Sequence, residues 1–137
     1  MRILALDLGG RRVGMAVSDP LALTAQGLPT VDRSVVLERL VDIIREYEVD
    51  EIVVGMPFHM NGGPSAGTID AEQFAHTLRE RFGLVVHRYD ERLSTMEAER
   101  AMREMGRKPS RDRGALNRVA ATLILQSFLD RRSVNGE

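Results

Sequence analysis

The stretch Ile3–Asp19, ILALDLGGRRVGMAVSD, decides how the rest of the chain is read. Ile3, Leu4, Ala5, Leu6 and Leu8 form an apolar run broken by a single carboxylate, Asp7. Gly9, Gly10, Arg11 and Arg12 follow, and a second apolar run covers Val13 to Val17. This is the pattern of a buried strand, a tight glycine turn and a returning antiparallel strand. A carboxylate within a core strand costs several kcal/mol unless it is paired or binds a cation. Asp7 therefore reads either as a structural acid bonded to the turn behind it or as an acid presented at a sheet edge, within reach of a cation or a phosphate.

Working outward, Leu21–Val31 has the composition of an irregular edge strand, where Pro29 is tolerable. Ser34 is placed to cap a helix whose apolar positions run from Val36 to Tyr47 at helical spacing. The short apolar segment Glu51–Gly55 after that helix predicts a parallel crossover strand. It leads into MPFHMNGGPSAG, a loop that is either a connector or a rim at the carboxyl end of a parallel strand, where ligands bind in open α/β sheets. A second helix is expected over Thr68–Phe82, with Ile69, Phe74, Ala75, Leu78 and Phe82 inward. Leu84–His87 is the last strand, followed by Asp90–Glu91–Arg92–Leu93–Ser94–Thr95. Ser94 and Glu97 have capping-box spacing, which predicts that a third helix begins there. Gly106 stops it, the basic stretch RKPSRDRG follows, and a last helix covers Ala115–Arg131. Its expected inward face is Leu116, Val119, Ala120, Leu123, Ile124, Ser127 and Phe128.

The 137 residues predict one domain spanning residues 1–137. With no cysteine, thiol catalysis, disulfides and thiolate metal sites are excluded. His59, His76 and His87 show no metal-ligand spacing. No apolar run approaches the roughly 20 residues of a membrane span, and no signal peptide precedes the first strand, so a cytoplasmic location is expected. A net charge of −1 leaves nucleic-acid binding to local patches of Arg rather than to overall charge.

Three strands in a meander, then helix, strand, helix, strand, helix and helix, is the order of a ribonuclease H-like α/β fold. That fold is a mixed five-stranded sheet, an antiparallel meander followed by parallel strands, flanked by helices. In that order the acids form a constellation: Asp7 in the first strand, Asp90 and Glu91 after the last, and a polar position, Asn117, in the last helix. Asn117 lies about 40° from Ala121 and about 340° from Ile124 at 100° per residue, and so on the inward face. Alternation along a strand sends neighbouring side chains to opposite sides, so Asp90 and Glu91 are not expected to serve one ion together. Oxygen ligands alone favour Mg²⁺ or Mn²⁺ over zinc, and carboxylate-held pairs of such ions are the usual device for hydrolysing a phosphodiester.

The stretches LALDLGGRRVGMAVSD, VGMPFHMNGGPSAG, YDERLSTMEAE and AATLILQSFLD together resemble the YqgF family. These are Holliday-junction-resolvase-like nucleases also described as pre-16S ribosomal RNA nucleases. The resemblance covers nearly the whole chain in the right order, and DERLST is its most specific segment. It implies the ribonuclease H-like fold, a divalent-metal nuclease acting on structured nucleic acid (precursor RNA, branched DNA or both), and a role in ribosomal RNA maturation or recombination. Carried over by residue, Asp7 and Glu91 match the family's acids, as catalytic groups and metal ligands. The third position departs: where the family usually keeps an Asp, this chain has Asn117, which retains an oxygen ligand but removes a full negative charge. Asn61 likewise replaces an acid in the loop, and Gly63 a hydroxyl residue. The expected substrate-side residues are Gly9, Arg11, Arg12, Asn61, Arg92, Thr95, Arg111 and Arg113. A homodimer is left open. Two rivals stand beside this reading. One is a non-catalytic nucleic-acid-binding or scaffold domain of the same fold, suggested by Asn117. The other is an actin-like phosphate-binding module, which also opens on a D-x-G turn but needs two such domains around a cleft.

Overall fold

The computed structural model describes residues 2–104 and 113–134; within the helices, its account of side chains leaves out residues 98, 101, 102 and 113–118. Strand β1 covers Arg2–Leu8, β2 Arg12–Ser18 and β3 Ala25–Asp32. A 3-10 turn at Arg33–Val35 leads into helix α1, Val36–Glu46. Then come β4 (Val49–Met56), α2 (Ala66–Phe82), β5 (Val85–Asp90), α3 (Glu91–Glu104) and α4 (Arg113–Val134). The five strands form one sheet in the order β3-β2-β1-β4-β5. β1 pairs antiparallel with β2 and parallel with β4, β2 pairs antiparallel with β3, and β4 pairs parallel with β5. This is the mixed sheet expected of a ribonuclease H-like chain.

Central position explains why β1 is apolar on both faces from Ile3 to Leu6: both its faces are covered. Leu4 and Leu6 join Val13, Met15, Val17, Ile52, Val54 and Met56 in the layer packed against α1 and α2 through Val36, Leu40, Ala71, Ala75 and Leu78. Ile3 and Ala5 face the other way, with Ala16, Val53 and Tyr89, against Ala121, Ile124, Leu125 and Leu129 of α4. Asp7 continues the odd-numbered series and so belongs to the α4 side. The turn between β1 and β2 is closed by Gly9, whose N–H donates to the Arg12 carbonyl at 2.8 Å. A Cβ on Gly9 would lie 2.7 Å from that same oxygen, so the close approach needs glycine.

Several boundaries differ from the sequence expectation, each for a local reason. Ser34 does not cap α1; the Asp32 carboxylate caps the preceding 3-10 turn, accepting from Ser34 N at 2.9 Å and Ser34 Oγ at 2.6 Å. Helix α2 starts ahead of Thr68 because Ser65 and Thr68 form a reciprocal capping box. Both hydroxyls also donate to the Pro57 carbonyl, which anchors the loop to the helix start. Ile69 is exposed, and Ala71 rather than Phe74 is fully buried in its turn. α3 begins at Glu91, not Ser94, whose Oγ instead donates back to the Glu91 carbonyl at 3.0 Å. Along α4, Val119 and Leu123 are exposed while Ala121, Leu125 and Leu129 are buried, so the packed stripe is rotated from the expected one. The expected inward Leu116 lies among the side chains that are not described, and Met105, Gly106 and the basic stretch up to Asp112 lie outside the described residues. Among the described residues, no helix is long and apolar enough to cross a membrane.

Candidate active site

The parallel strands β1, β4 and β5 all end at one edge of the sheet. Register aligns Leu6 with Val54, Gly55 with Tyr89 and Met56 with Asp90. Asp7 therefore stands one residue beyond the last β1–β4 pair, beside Gly55, on the side covered by α4. Glu91, the first residue of α3, turns back across the end of β4 toward it. Gly55 makes the crossing possible, since a Cβ there would lie 2.5 Å from Glu91 Oε1 and 2.9 Å from Glu91 Cγ. The same Cβ would meet Ile124 Cδ1 at 2.8 Å, so an apolar methyl of α4 shares this space with the carboxyl.

The electrostatics follow from that placement. Burial is the largest effect on Glu91, and a hydrogen bond to Asp7 and the charges of Asp7 and Asp90 act in the same direction, so its carboxyl is pushed up to about 9. Without a cation beside it, the Glu91 carboxyl keeps its proton at neutral pH. This is the fit test for a divalent ion: two acids are held together at a cost that a positive charge would remove, and their oxygens are the donors that hard cations prefer. The first turn of α3 adds the positive end of a helix dipole, which also favours the charged form.

Asp90 is oriented quite differently. Arg92 donates to it from its backbone N at 2.9 Å, from Nε at 3.1 Å to each oxygen and from Nη2 at 2.6 Å. These bonds, the side-chain ones foremost, hold the Asp90 carboxyl below its usual range despite partial burial. The neighbouring acids thus part company, Glu91 to Asp7 and Asp90 to Arg92. Among the described residues, no third acid or histidine joins a group able to hold a metal.

Arg92 also supports the loop after β4. Its guanidinium lies over the Phe58 ring, 5.5 Å from the centroid. Its Nη1 lies 3.4 Å from where Gly62, at φ +90°, would carry a Cβ. The loop closes on itself through His59 N to Gly63 O at 2.9 Å and Gly62 N to His59 O at 2.8 Å. Asn61 Oδ1 accepts from Gly63 N at 2.9 Å, an Asx turn that leaves Asn61 exposed at the tip. Thr95 is exposed on α3, one turn beyond Glu91. Arg11 and Arg12 are exposed at the β1–β2 turn, beside Gly9. Arg113 and Asn117 lie in the first turns of α4, where side chains are not described, and Arg111 lies outside the described residues.

Two groups at this edge escape a reading of the sequence. Arg33 donates Nη1 to the Gly9 carbonyl at 3.1 Å and Nη2 to Asp70 Oδ1 at 2.5 Å, tying the glycine turn to the first turns of α2. The partners are 37 residues apart, and no local pattern announces the pair. Gly55 is the other. Its only signal is a glycine directly after the β-branched run Ile52–Val54, inside the strand, which commonly marks a close approach.

A mixed five-stranded sheet of this order, with carboxyls meeting at the ends of β1 and β5, defines a ribonuclease H-like protein. The fold superposes on Thermus thermophilus RuvC with a TM-score of 0.60 over 99% of this chain and 97% of that one, at 15% identity. For T. thermophilus RuvC in complex with a Holliday junction substrate the TM-score is 0.63, over 98% and 96%, at 16% identity. Such identities speak for the fold alone. Sequence goes further: the family described as RuvX, Holliday junction resolvase, matches residues 1–131. Proteins named "Putative pre-16S rRNA nuclease" are similar over nearly their full length. That of Koribacter versatilis is 45% identical over 139 residues, 99% of this chain and 91% of the relative. That of Desulfitobacterium hafniense is 47% identical over 141 residues, 100% and 98%. That of Geobacillus kaustophilus is 50% identical over 137 residues, 95% and 98%. The chain belongs to this RuvX (YqgF) family of nucleases.

Proposed function

We propose that this chain is a metal-dependent nuclease that hydrolyses phosphodiesters in structured nucleic acid, with Asp7 and Glu91 as its cation-holding acids. The observation that carries the reading is the half-buried carboxyl pair itself, two acids brought together at the sheet edge in a family of nucleases. Mg²⁺ or Mn²⁺ held there would polarise a phosphate oxygen and lower the pKa of a bound water. Asn117, in the first turns of α4, is the third ligand in this reading, through its neutral carbonyl oxygen. The chain's own part is to fix the two acids on rigid elements, to keep water from Glu91 with the Ile124 methyl, and to offer the phosphate a turn with little side-chain bulk at Gly9. Arg11, Arg12, Arg111 and Arg113 bind the backbone of the substrate, and Asn61 and Thr95 border the path beside Glu91. Arg92 acts from its place on Asp90 and Phe58, holding the loop that carries Asn61.

The substrates are a precursor of 16S ribosomal RNA, as named for the relatives, or a four-way DNA junction, as named for the family. The working unit is one domain of residues 1–137 in the cytoplasm, alone or as a homodimer. The test is Mn²⁺-dependent cleavage of both substrates by the parent protein and by Asp7→Asn. The variant keeps the shape and removes a charge, so binding is expected to persist while turnover falls by orders of magnitude. Undiminished cleavage would remove Asp7 from the chemistry. Binding without cleavage in the parent itself would favour the non-catalytic reading.

A further inference from the structure

Resting on the reading of Asp7 and Glu91 as cation ligands, we infer that Gly55 is a positioning residue for the site: its missing side chain is the passage through which Glu91 crosses β4 to reach Asp7.

Three observations converge on this one position. Glu91 starts α3, on the far side of β4 from β1, because β5 neighbours β4 and not β1. Its side chain reaches Asp7 only by passing over the end of β4. At that end the point a Cβ of residue 55 would occupy lies within 3 Å of two Glu91 atoms, Oε1 at 2.5 Å and Cγ at 2.9 Å. Oε1 is the end of the side chain, but Cγ is its stem, and displacing the stem takes the carboxyl away from Asp7. The third neighbour, Ile124 Cδ1 at 2.8 Å, closes the passage from the α4 side. The backbone of Gly55 shows no positive φ, so the requirement concerns space rather than conformation. Even a methyl group must displace Glu91, Ile124 or both.

The two neighbours separate a role in the site from a role in packing. Gly55→Ala is expected to lower Mn²⁺ affinity at least tenfold, measured by calorimetry on the protein without nucleic acid, and to lower the thermal midpoint. Ile124→Val shortens the side chain at the atom the new methyl meets and leaves Glu91 untouched. In the double variant Gly55→Ala/Ile124→Val the thermal midpoint should recover while Mn²⁺ affinity stays low. Adding Gly55→Ala to Glu91→Gln should change Mn²⁺ affinity no further, since the residue it displaces has already lost its charge. Recovery of affinity together with stability in the double variant would overturn the inference, as would parent-like Mn²⁺ affinity in a folded Gly55→Ala. Asp7→Asn tells this failure from failure of the cation-ligand reading. If Asp7→Asn retains Mn²⁺ affinity, the reading itself fails; if it loses affinity while Gly55→Ala keeps it, only the role of Gly55 does.

Discussion

Glu91 reaches Asp7 from the first residue of a helix, and opposed forces act on its proton. Burial beside Ile124, the hydrogen bond to Asp7 and the charges of Asp7 and Asp90 hold the proton on, up to about pH 9. The α3 N-terminus favours its loss. An acid whose folded pKa lies above its unfolded value makes the native state the stronger proton binder. Metal-free protein should therefore lose stability as pH rises from about 4.5 toward 9, since the unfolded chain ionises first. Glutamine mimics the protonated acid and cannot ionise. Glu91→Gln should thus flatten the pH dependence of the thermal midpoint above pH 5, raise stability at pH 8 by something of order 1 kcal/mol, and still abolish cleavage. Denaturation curves at pH 5 and pH 8, with chelator present, check the sign. A Glu91→Gln protein less stable than the parent at pH 8 would mean that the charged carboxylate is the native form. Asp90→Asn is expected to behave otherwise, costing stability through its lost bonds to Arg92 while leaving much of the activity.

At the scale of elements, the far end of the α4 face is held by a second polar network. Glu51 of β4 takes His87 Nε2 at 2.8 Å and both Arg132 amino groups at 3.2 Å. The rings of His87 and Phe128 lie 5.1 Å apart, and the Arg132 guanidinium is 5.6 Å from the Phe128 centroid. Burial pushes the Glu51 carboxyl up, but the bonds from His87 and Arg132 outweigh it, and the net shift is downward. For an acid of lowered pKa, the stability it contributes is present above its unfolded value and lost as pH falls through its folded one. Glu51→Gln should therefore cost about 1–2 kcal/mol at pH 7, with the difference from the parent shrinking below about pH 4.5. Urea unfolding at pH 7 and pH 3.5 measures it, and an equal cost at both would assign the effect to packing. This network also shows what a sequence hides. Strand alternation and helical spacing made the order of elements legible, because each follows from which face of a strand or helix is apolar. Ser34 and Ser94 misled as caps because a better acceptor, Asp32, stood two residues earlier and because β5 runs straight into α3 at Glu91. Asp7 was legible as a lone acid in an apolar strand. Its approach to Glu91 across Gly55 depends on strand order, which no local pattern contains.

For the whole molecule, a net charge of −1 means that attraction to a polyanion must be local. At the site's edge the arginines divide by what they touch. Arg92 and Arg33 are engaged by Asp90 and Asp70. Arg12 stands opposite Asp32 in the β2–β3 register, where the bonds from Ser34 chiefly hold that carboxyl down and the Arg12 charge adds to them. Arg11 is exposed at the turn and has no ion-pair partner among the described residues. A cation already paired must give up its partner to bind a phosphate, whereas an unpaired one only releases the counterions of the nucleic acid. Arg11 should therefore contribute more than Arg12, Arg33 or Arg92 to the salt dependence of binding. For a duplex substrate, each phosphate neutralised adds about 0.9 to the slope of log affinity against log salt. Arg11→Ala should lower that slope by about this amount and weaken binding alike on every sequence, without changing the thermal midpoint. Arg45→Ala, exposed near the end of α1 where the chain turns toward the start of β4, is the control and should leave the slope unchanged. Affinities at three salt concentrations, with Ca²⁺ in place of Mn²⁺ so that substrate persists, provide the measurement. An unchanged slope for Arg11→Ala would move the substrate path away from the glycine turn, toward the basic stretch ahead of α4, and the same titration on Arg111→Ala/Arg113→Ala would then show the missing dependence.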